Sequence, residues 1–218
     1  MSDSYDVIVS GARCAGSPTA MLLARQGHRV LLVDRVTFPS DTVSSHCVHP
    51  PGVDALRRWG LLDRLAATGC PPITSYRFDF GPFVIEGSPG LAYAPRRTVL
   101  DKLLVDAAAE DGVEVREGFT LDEVLVEDGR VTGIAGHDRH GRPSTERARI
   151  VVGADGKHSR VAAAVGAPVY DEKPAVEGAY YAYWSGVETS GFELFVRPDR
   201  ALGAIPTNDD LTLVLAAG

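Results

Sequence analysis

The strongest constraint in this sequence is a glycine-containing loop between a short apolar run and a helical pattern. Residues 5–10 read YDVIVS, and their β-branched side chains predict a buried strand. Residues 15–26 place apolar side chains at helical spacing before Gly27, and residues 30–33 form a second apolar run that ends on Asp34. A strand, loop, helix and strand within about thirty residues predict a βαβ unit of a parallel sheet.

The loop itself reads GARCAG over residues 11–16. Gly11 permits a tight turn, Gly16 lets the helix pack closely, and the helix N-terminus offers N–H groups to a pyrophosphate. Arg13 takes the middle glycine position, where its side chain limits backbone approach but can pair with phosphates. Asp34 follows Gly11 by 23 residues, the place of a carboxylate that binds a ribose hydroxyl. The pattern predicts an adenine dinucleotide site but does not identify the dinucleotide.

Charge and composition argue against several classes of partner. The 218 residues include 22 basic and 29 acidic side chains, a formal net charge of −7, which argues against nucleic acid or an anionic membrane surface. No apolar run approaches the ~18 residues of a membrane span. Three cysteines without a CxxC pair indicate a reducing compartment, and the N-terminus has no signal-peptide pattern. We therefore expect a cytoplasmic protein.

The rest of the chain predicts further strands around one long helix. Residues 73–86 alternate and turn at Gly81-Pro82 as a hairpin, and residues 97–110 carry the apolar stripe of an amphipathic helix. The remaining predicted strands are residues 113–116, 121–126, 131–136, 147–153, 179–187, 192–196 and 211–216, and the predicted short helices are residues 53–59, 61–68 and 159–165. We predict a first domain over residues 1–170, with residues 70–95 contributing to a second one, and a truncated partial β-sheet substrate domain over residues 171–218.

Four segments together resemble a known family. Residues 153–161 read GADGKHSRV, and they come after a predicted buried strand and before a predicted helix. This segment, residues 11–34, residues 38–61 and residues 95–104 resemble, in order and separation, the p-hydroxybenzoate hydroxylase-like flavoproteins. That group contains FAD-dependent aromatic hydroxylases together with geranylgeranyl reductase-like and halogenase-like enzymes, and the resemblance covers essentially the whole chain. It implies an α/β fold: a Rossmann-like FAD-binding βαβ domain with a β-meander insertion, plus part of a β-sheet substrate domain.

The resemblance also implies which residues hold FAD. Asp34 would bind the adenosine ribose with Arg35 beside it, and Arg97 would reach the phosphates or the ribityl chain. Val124 would lie beside the adenine through its backbone, and Asp155 near the pyrophosphate. The full expected set is Gly11, Ala12, Arg13, Ala15, Gly16, Asp34, Arg35, Arg97, Val124, Asp155 and Gly156. Two alternatives stay open: a solvated helix start at residues 96–97 and a plain turn at Asp155-Gly156.

In relatives of this kind the flavin carries the chemistry. NADH or NADPH reduces it, O2 gives a flavin hydroperoxide, and one oxygen atom passes to an apolar or aromatic small molecule. His46 is the candidate catalytic residue near the flavin or substrate, the alternative being an exposed loop histidine. The spacing of His46, Cys47 and His49 predicts no metal site, because no fourth ligand matches it. The aromatic run at residues 180–184 either packs in a sheet or lines a substrate cavity.

Two other functions remain open from the sequence. One is a geranylgeranyl reductase-like flavin reductase that saturates isoprenoid double bonds. The other is an inactive, truncated FAD-binding fragment, because family members carry a Gly-Asp motif in a C-terminal segment and this sequence contains no Gly-Asp dipeptide. The expected activity is thus an FAD-dependent monooxygenase, with these two as alternatives. The oligomeric state is not predicted.

Overall fold

The computed structural model describes residues 4–174 and 178–218. Its helices are α1 (Gly16–Arg25), α2 (Pro50–Trp59), α3 (Leu62–Ala66), α4 (Arg97–Glu110) and α5 (Arg160–Ala164). Its strands are β1 (Tyr5–Ser10), β2 (Val30–Asp34), β3 (Pro72–Ile73), β4 (Tyr76–Asp79), β5 (Val84–Gly87), β6 (Ala92–Tyr93), β7 (Glu114–Glu117), β8 (Thr120–Glu127), β9 (Arg130–His137), β10 (Pro143–Gly153), β11 (Ala179–Ser185), β12 (Phe192–Arg197), β13 (Arg200–Pro206) and β14 (Leu211–Ala217).

The chain folds into two compact units, each built from two stretches of sequence. The first unit combines Met1–Asp41 with Leu100–Tyr170, and the second combines Thr42–Val99 with Asp171–Gly218. The boundary between Val99 and Leu100 falls inside α4. These two units are defined by the contacts within each of them. The functional domains expected from the sequence, residues 1–170 and 171–218, remain predictions.

The first unit contains a six-stranded sheet in the order β7-β2-β1-β10-β9-β8. Strands β7, β2, β1 and β10 run parallel, whereas β9 and β8 continue the sheet as an antiparallel meander. Strands β1 and β2 are largely apolar and buried, because parallel strands inside such a sheet are covered on both faces. Ile8, Leu31 and Ile134 are fully buried in the resulting core. The α/β class with a meander, predicted from the sequence, is confirmed.

The second unit contains a six-stranded sheet in the order β11-β14-β13-β12-β4-β5. Its pairs are antiparallel except β12 with β4, which run parallel. The short strands β3 and β6 pair separately. Ile73, Tyr76, Ile205 and Leu213 form the core of this unit, and Phe192 packs against them.

The structure contains two strands, β6 and β13, that the sequence patterns did not predict. Around β13, Pro198, Asp199 and Pro206 are residue types typical of turns. In the structure, Asp199 has φ 61°, which lets Pro198-Asp199 form a two-residue connection between β12 and β13. Strand β10 also starts at Pro143 rather than at residue 147. The predicted hairpin of β4 and β5 is confirmed.

No helix in the described part of the chain has the length and apolar character needed to cross a membrane.

Candidate functional site

The loop over residues 11–16 requires glycine at both ends for steric reasons. Gly11 has φ 101°, and a β-carbon there would overlap the carbonyl of Ala154. A β-carbon at Gly16 would overlap the carbonyl oxygen of Gly11 and lie 3.2 Å from a side-chain carbon of Val9. The first turn of α1 therefore packs directly against the turn that leaves β1. This is the close helix–strand packing expected of a dinucleotide-binding loop.

Asp34, the last residue of β2, holds this loop in place. Its Oδ2 accepts a hydrogen bond from the backbone N–H of Ala12 at 2.7 Å, and its Oδ1 accepts one from Val36 at 3.0 Å. Each carboxylate oxygen can accept more than one hydrogen bond, so these contacts leave acceptor capacity. Arg35, the next residue, is exposed.

Three parallel strands bring their carboxyl ends to the same edge of the sheet. Ser10 pairs with Val33 on one side and with Gly153 on the other. Beyond these pairs, the N–H of Gly11 donates to Val33 at 2.8 Å and the N–H of Ala154 donates to Ser10 at 2.8 Å. The glycine loop, Asp34 and Asp155 therefore meet at one edge, the position where open α/β sheets bind ligands.

Asp155 has a clear local role at this edge. Its Oδ1 accepts from the hydroxyl of Ser159 at 2.6 Å, and its Oδ2 accepts from the N–H of Arg160 at 2.7 Å. The carboxylate thus binds the N-terminus of α5, where free N–H groups and the helix dipole favour a negative charge. Gly156 follows with φ 88°. Asp155 therefore fixes the turn between β10 and α5, and its role toward FAD remains a prediction.

The structure gives Arg13 a partner that sequence reasoning missed. Its guanidinium forms an ion pair with Asp101 on α4, whose side chain is completely shielded from solvent. The guanidinium also donates to the carbonyl of Ser40 at 3.3 Å and to its hydroxyl at 3.2 Å. No local pattern in the sequence signals this contact, because Asp101 lies 88 positions from Arg13.

The other residues predicted to bind the cofactor differ in their exposure and in the element that carries them. Ala12 is buried, whereas Ala15 is exposed and occupies the N-cap position of α1 without a capping side-chain hydrogen bond. Val124 pairs with Ile134 between β8 and β9, and its side chain is in the core of the first unit. Arg97 begins α4, is partly exposed, and belongs to the second unit.

His46 lies in the second unit and is buried, with 3% of its surface exposed. Its Nδ1 lies 2.7 Å from the carbonyl oxygen of Ser44, which can only accept, so the neutral ring carries its proton on Nδ1. Its Nε2 then accepts from the hydroxyl of Tyr183 at 2.5 Å. The backbone of His46 has φ 62°, an uncommon conformation for a residue with a side chain. The alternative of an exposed loop histidine is therefore wrong.

Aromatic rings surround this histidine. The ring centroids of Tyr181 and Tyr183 lie 5.2 Å and 5.5 Å from that of His46, both in edge-on geometry. The Arg96 guanidinium lies over the Tyr183 ring, 4.6 Å from its centroid. Tyr180 and Trp184, from the same strand β11, are exposed. The aromatic run is thus divided between the two faces of β11, as the alternation of a strand requires.

The neighbouring Cys47 is not an activated nucleophile. Burial raises the pKa of its thiol, and Tyr76 beside it has its pKa raised to about 12 by burial. The Tyr76 hydroxyl lies 2.9 Å from Nδ1 of His49, and the two rings are tilted against each other. A raised thiol pKa keeps Cys47 protonated near neutral pH, which disfavours nucleophilic catalysis.

The chain is similar to curated proteins of two activities. It is 34% identical over 169 residues to a digeranylgeranylglycerophospholipid reductase of Methanocella arvoryzae, a match that covers 74% of this chain and 41% of that protein. It is 30% identical over 184 residues to the aklavinone 12-hydroxylase DnrF of Streptomyces peucetius subsp. caesius, covering 74% and 37% respectively. The chain therefore spans about two fifths of the length of these relatives.

Two solved structures share the fold. The myxobacterial chondrochloren halogenase CndH, an FAD-dependent halogenase, matches with a TM-score of 0.86 and 26% identity, over 99% of this chain and 53% of that chain. PqsL of Pseudomonas aeruginosa, described as a probable FAD-dependent monooxygenase, matches with a TM-score of 0.83 and 19% identity, over 99% and 60%. The family resemblance and the fold predicted from the motifs are thereby confirmed.

A family model described as "FAD binding domain" matches residues 4–212 of this chain. Because that match covers nearly every residue, the chain belongs to the FAD binding domain family.

Proposed function

We propose that this chain carries the FAD site, and part of the substrate site, of an FAD-dependent oxidoreductase. One observation carries the proposal: the glycine loop, Asp34 and Asp155 meet at the carboxyl ends of β1, β2 and β10. That edge combines helix N–H groups, which suit a pyrophosphate, with a carboxylate, which suits a ribose hydroxyl. The residues present therefore fit an adenine dinucleotide.

The proposed roles follow the chemistry of each group. Backbone N–H groups of the loop and the first turn of α1 would hold the pyrophosphate, with Gly11 and Gly16 keeping the turn tight. Asp34 would accept from the adenosine ribose, with the exposed Arg35 beside it. Arg97 would reach the phosphates or the ribityl chain, Val124 would border the adenine through its backbone, and Asp155 would lie near the pyrophosphate. FAD, when bound, supplies two-electron redox chemistry, and the chain's own residues bind and orient it.

The reaction class we propose is NAD(P)H-dependent monooxygenation of an apolar or aromatic small molecule with O2. The similarity to the aklavinone 12-hydroxylase DnrF, named as a hydroxylase, supports this class. The aromatic surroundings of His46 support an apolar substrate, because ligand sites combine aromatic walls with a few fixed polar groups. Tyr183, partly exposed, donates its proton to Nε2 of His46, so a substrate hydroxyl bonded to Tyr183 would have a proton acceptor behind it.

A second candidate is an isoprenoid reductase. The observation that favours it is the 34% identity to the digeranylgeranylglycerophospholipid reductase of Methanocella arvoryzae. A reductase transfers electrons to a carbon–carbon double bond and needs no O2. The two candidates therefore differ in oxygen stoichiometry.

The test is to measure NADH and NADPH oxidation by the flavin-loaded protein in an oxygen electrode, with and without candidate substrates. A monooxygenase is expected to consume one O2 for each NAD(P)H oxidised and to stop when oxygen is removed. Oxidation of NAD(P)H that continues without oxygen when an isoprenoid is added would favour the reductase. Absence of NAD(P)H oxidation under both conditions would contradict the oxidoreductase proposal.

A further inference from the structure

Asp101 contacts two consecutive residues of the glycine loop from a fully shielded position on α4. Its Oδ2 forms the ion pair with the Nη1 of Arg13, and its Oδ1 lies 3.4 Å from the Sγ of Cys14. Both carboxylate oxygens therefore engage the loop, one through a charged hydrogen bond and one through a thiol. The middle of the loop is thus fixed to α4, while Asp34 fixes its beginning through Ala12.

The guanidinium of Arg13 is bound by further protein groups. Nη2 donates to the hydroxyl of Ser40 at 3.2 Å and to the carbonyl of Asp41 at 3.4 Å, and Nη1 also donates to the carbonyl of Ser40. The guanidinium carbon lies 5.4 Å from the centroid of the Phe38 ring. Arg13 therefore connects three segments of the first unit: the loop, α4 and residues 38–41.

This arrangement changes the expected role of Arg13. The Asp101 carboxylate balances its charge, so the pair brings no net positive charge to the edge of the sheet. A phosphate that drew Arg13 away would break an ion pair to a completely shielded carboxylate together with the hydrogen bonds to Ser40 and Asp41, and breaking a buried ion pair is unfavourable. The guanidinium is consequently held by the protein.

We propose that Asp101 is a positioning residue for the dinucleotide loop, and that Arg13 acts with it as a clamp instead of as a ligand for the phosphates. The clamp holds residues 13 and 14 so that the backbone N–H groups at the start of α1 are presented in a fixed geometry. Preorganised donors bind without an ordering cost at the moment of association. This inference rests on the proposed function, because it assigns the loop to a dinucleotide.

The direction in which Asp101→Asn changes the affinity for FAD distinguishes a clamp from a phosphate ligand at Arg13. With a clamp, Asp101→Asn weakens binding of FAD by about tenfold, the usual size of a coupling between groups in contact. If Arg13 binds phosphate, D101N releases the guanidinium from its acidic partner and tightens FAD binding. Unchanged or tighter binding in D101N would overturn the clamp.

A matched control comes from the other end of α1. Arg25 forms an ion pair with Asp111, just after α4, at 2.7 Å, and both side chains are partly exposed. Asp111→Asn removes an ion pair between the same two regions but away from the loop. We expect D111N to leave FAD affinity unchanged, because exposed pairs contribute little.

Two further ligands separate positioning from general destabilisation. Calorimetric titration with ADP, which carries the pyrophosphate, is expected to show the same weakening in D101N as FAD. Riboflavin lacks both the phosphates and the adenosine, so its affinity should stay at the wild-type value. Equal weakening for ADP and riboflavin would indicate loss of folded protein and would overturn the clamp.

A double variant keeps the test decisive where D101N alone folds poorly. Arg13→Gln combined with D101N removes both charges, and a clamp predicts FAD affinity closer to the wild type than that of Arg13→Gln alone. A phosphate-binding Arg13 predicts equal losses in the single and double variants, which would overturn the clamp.

Wild-type protein that binds neither FAD nor ADP would overturn the proposed function and the clamp together, whereas wild-type binding with an unaffected D101N would overturn the clamp alone.

Discussion

The hydroxyl of Tyr183 lies 2.5 Å from Nε2 of His46, although 137 positions separate the two residues in the sequence. The contact fixes the tautomer of a buried histidine whose Nδ1 bonds to the carbonyl of Ser44. A buried imidazole held at both nitrogens has a defined proton position, which a general acid or base requires. The second unit therefore contains the polar pair that we propose for the substrate side of the reaction.

Tyr183→Phe removes the donor to His46 and keeps the ring. We expect the free energy of unfolding to fall by about 1 kcal/mol, because one buried hydrogen bond is lost. We also expect substrate-stimulated NAD(P)H oxidation to fall while FAD affinity stays unchanged. Chemical denaturation, FAD titration and steady-state rates measure these three quantities. Tyr180→Phe, on the exposed face of the same strand, is the control, and equal effects of the two variants would count against the pair.

Gly16→Ala tests the packing of the dinucleotide loop. The added β-carbon would overlap the carbonyl oxygen of Gly11, so backbone must move. We expect a loss of about 3 kcal/mol in the free energy of unfolding, and loss of FAD binding. Gly27→Ala, at the other end of α1, meets no described atom within 4 Å but has φ 87°, so its expected loss is about 1 kcal/mol. Similar losses in both variants would show that close packing at Gly16 is unimportant.

Asp34→Asn tests the predicted ribose contact. A neutral amide is a weaker acceptor than a carboxylate, so we expect FAD affinity to fall by about tenfold. Asp6 also accepts a backbone N–H, from Arg29 at 2.9 Å, but it lies near the amino end of β1. Asp6→Asn should therefore leave the dissociation constant for FAD unchanged. The idea fails if calorimetry finds equal affinities for the two variants.

Stability at alkaline pH should depend on Cys70. Burial raises the pKa of its thiol from 9.0 to about 11 in the folded protein. Below pH 9 the thiol is protonated in both the folded and unfolded states, and above it only the unfolded state loses the proton readily. The free energy of unfolding should therefore decrease as pH rises from 9 to 11.

The check on this prediction is denaturant unfolding of the wild type and Cys70→Ala at neutral pH and within that window. The decrease with pH should be shallower in the variant. Tyr5 and Tyr76 should add a decrease between pH 10 and 12 in both proteins, because burial raises their pKa values from 10.0 to about 12. Identical slopes in the window would refute the assignment to Cys70.

The parts of the fold that the sequence predicted are those encoded locally. Strands β1 and β2, the glycine loop and Asp34 lie within one short stretch, and their residue types favour the structures they form. The parallel sheet then follows, because consecutive parallel strands need a helical crossover. The position of Asp155 between a strand and a helix was predictable for the same reason, and the structure has it between β10 and α5.

The parts that could not be predicted depend on contacts between distant positions. No local pattern marks Asp101 as the partner of Arg13, or Tyr183 as the partner of His46, because tertiary packing alone brings each pair together. The strand β13 was missed because flanking proline and aspartate residues are typical of turns, and neighbouring strands of the sheet override that preference.

The central claim is that the carboxyl edge of β2, β1 and β10 binds FAD. The most direct measurement is titration of the purified chain with FAD, followed by visible absorption and flavin fluorescence, in parallel with Gly16→Ala. We predict saturable binding of one FAD per chain to the wild type and none to the variant. A folded wild-type chain that leaves the FAD spectrum unchanged, or a variant that binds FAD equally well, would contradict the claim.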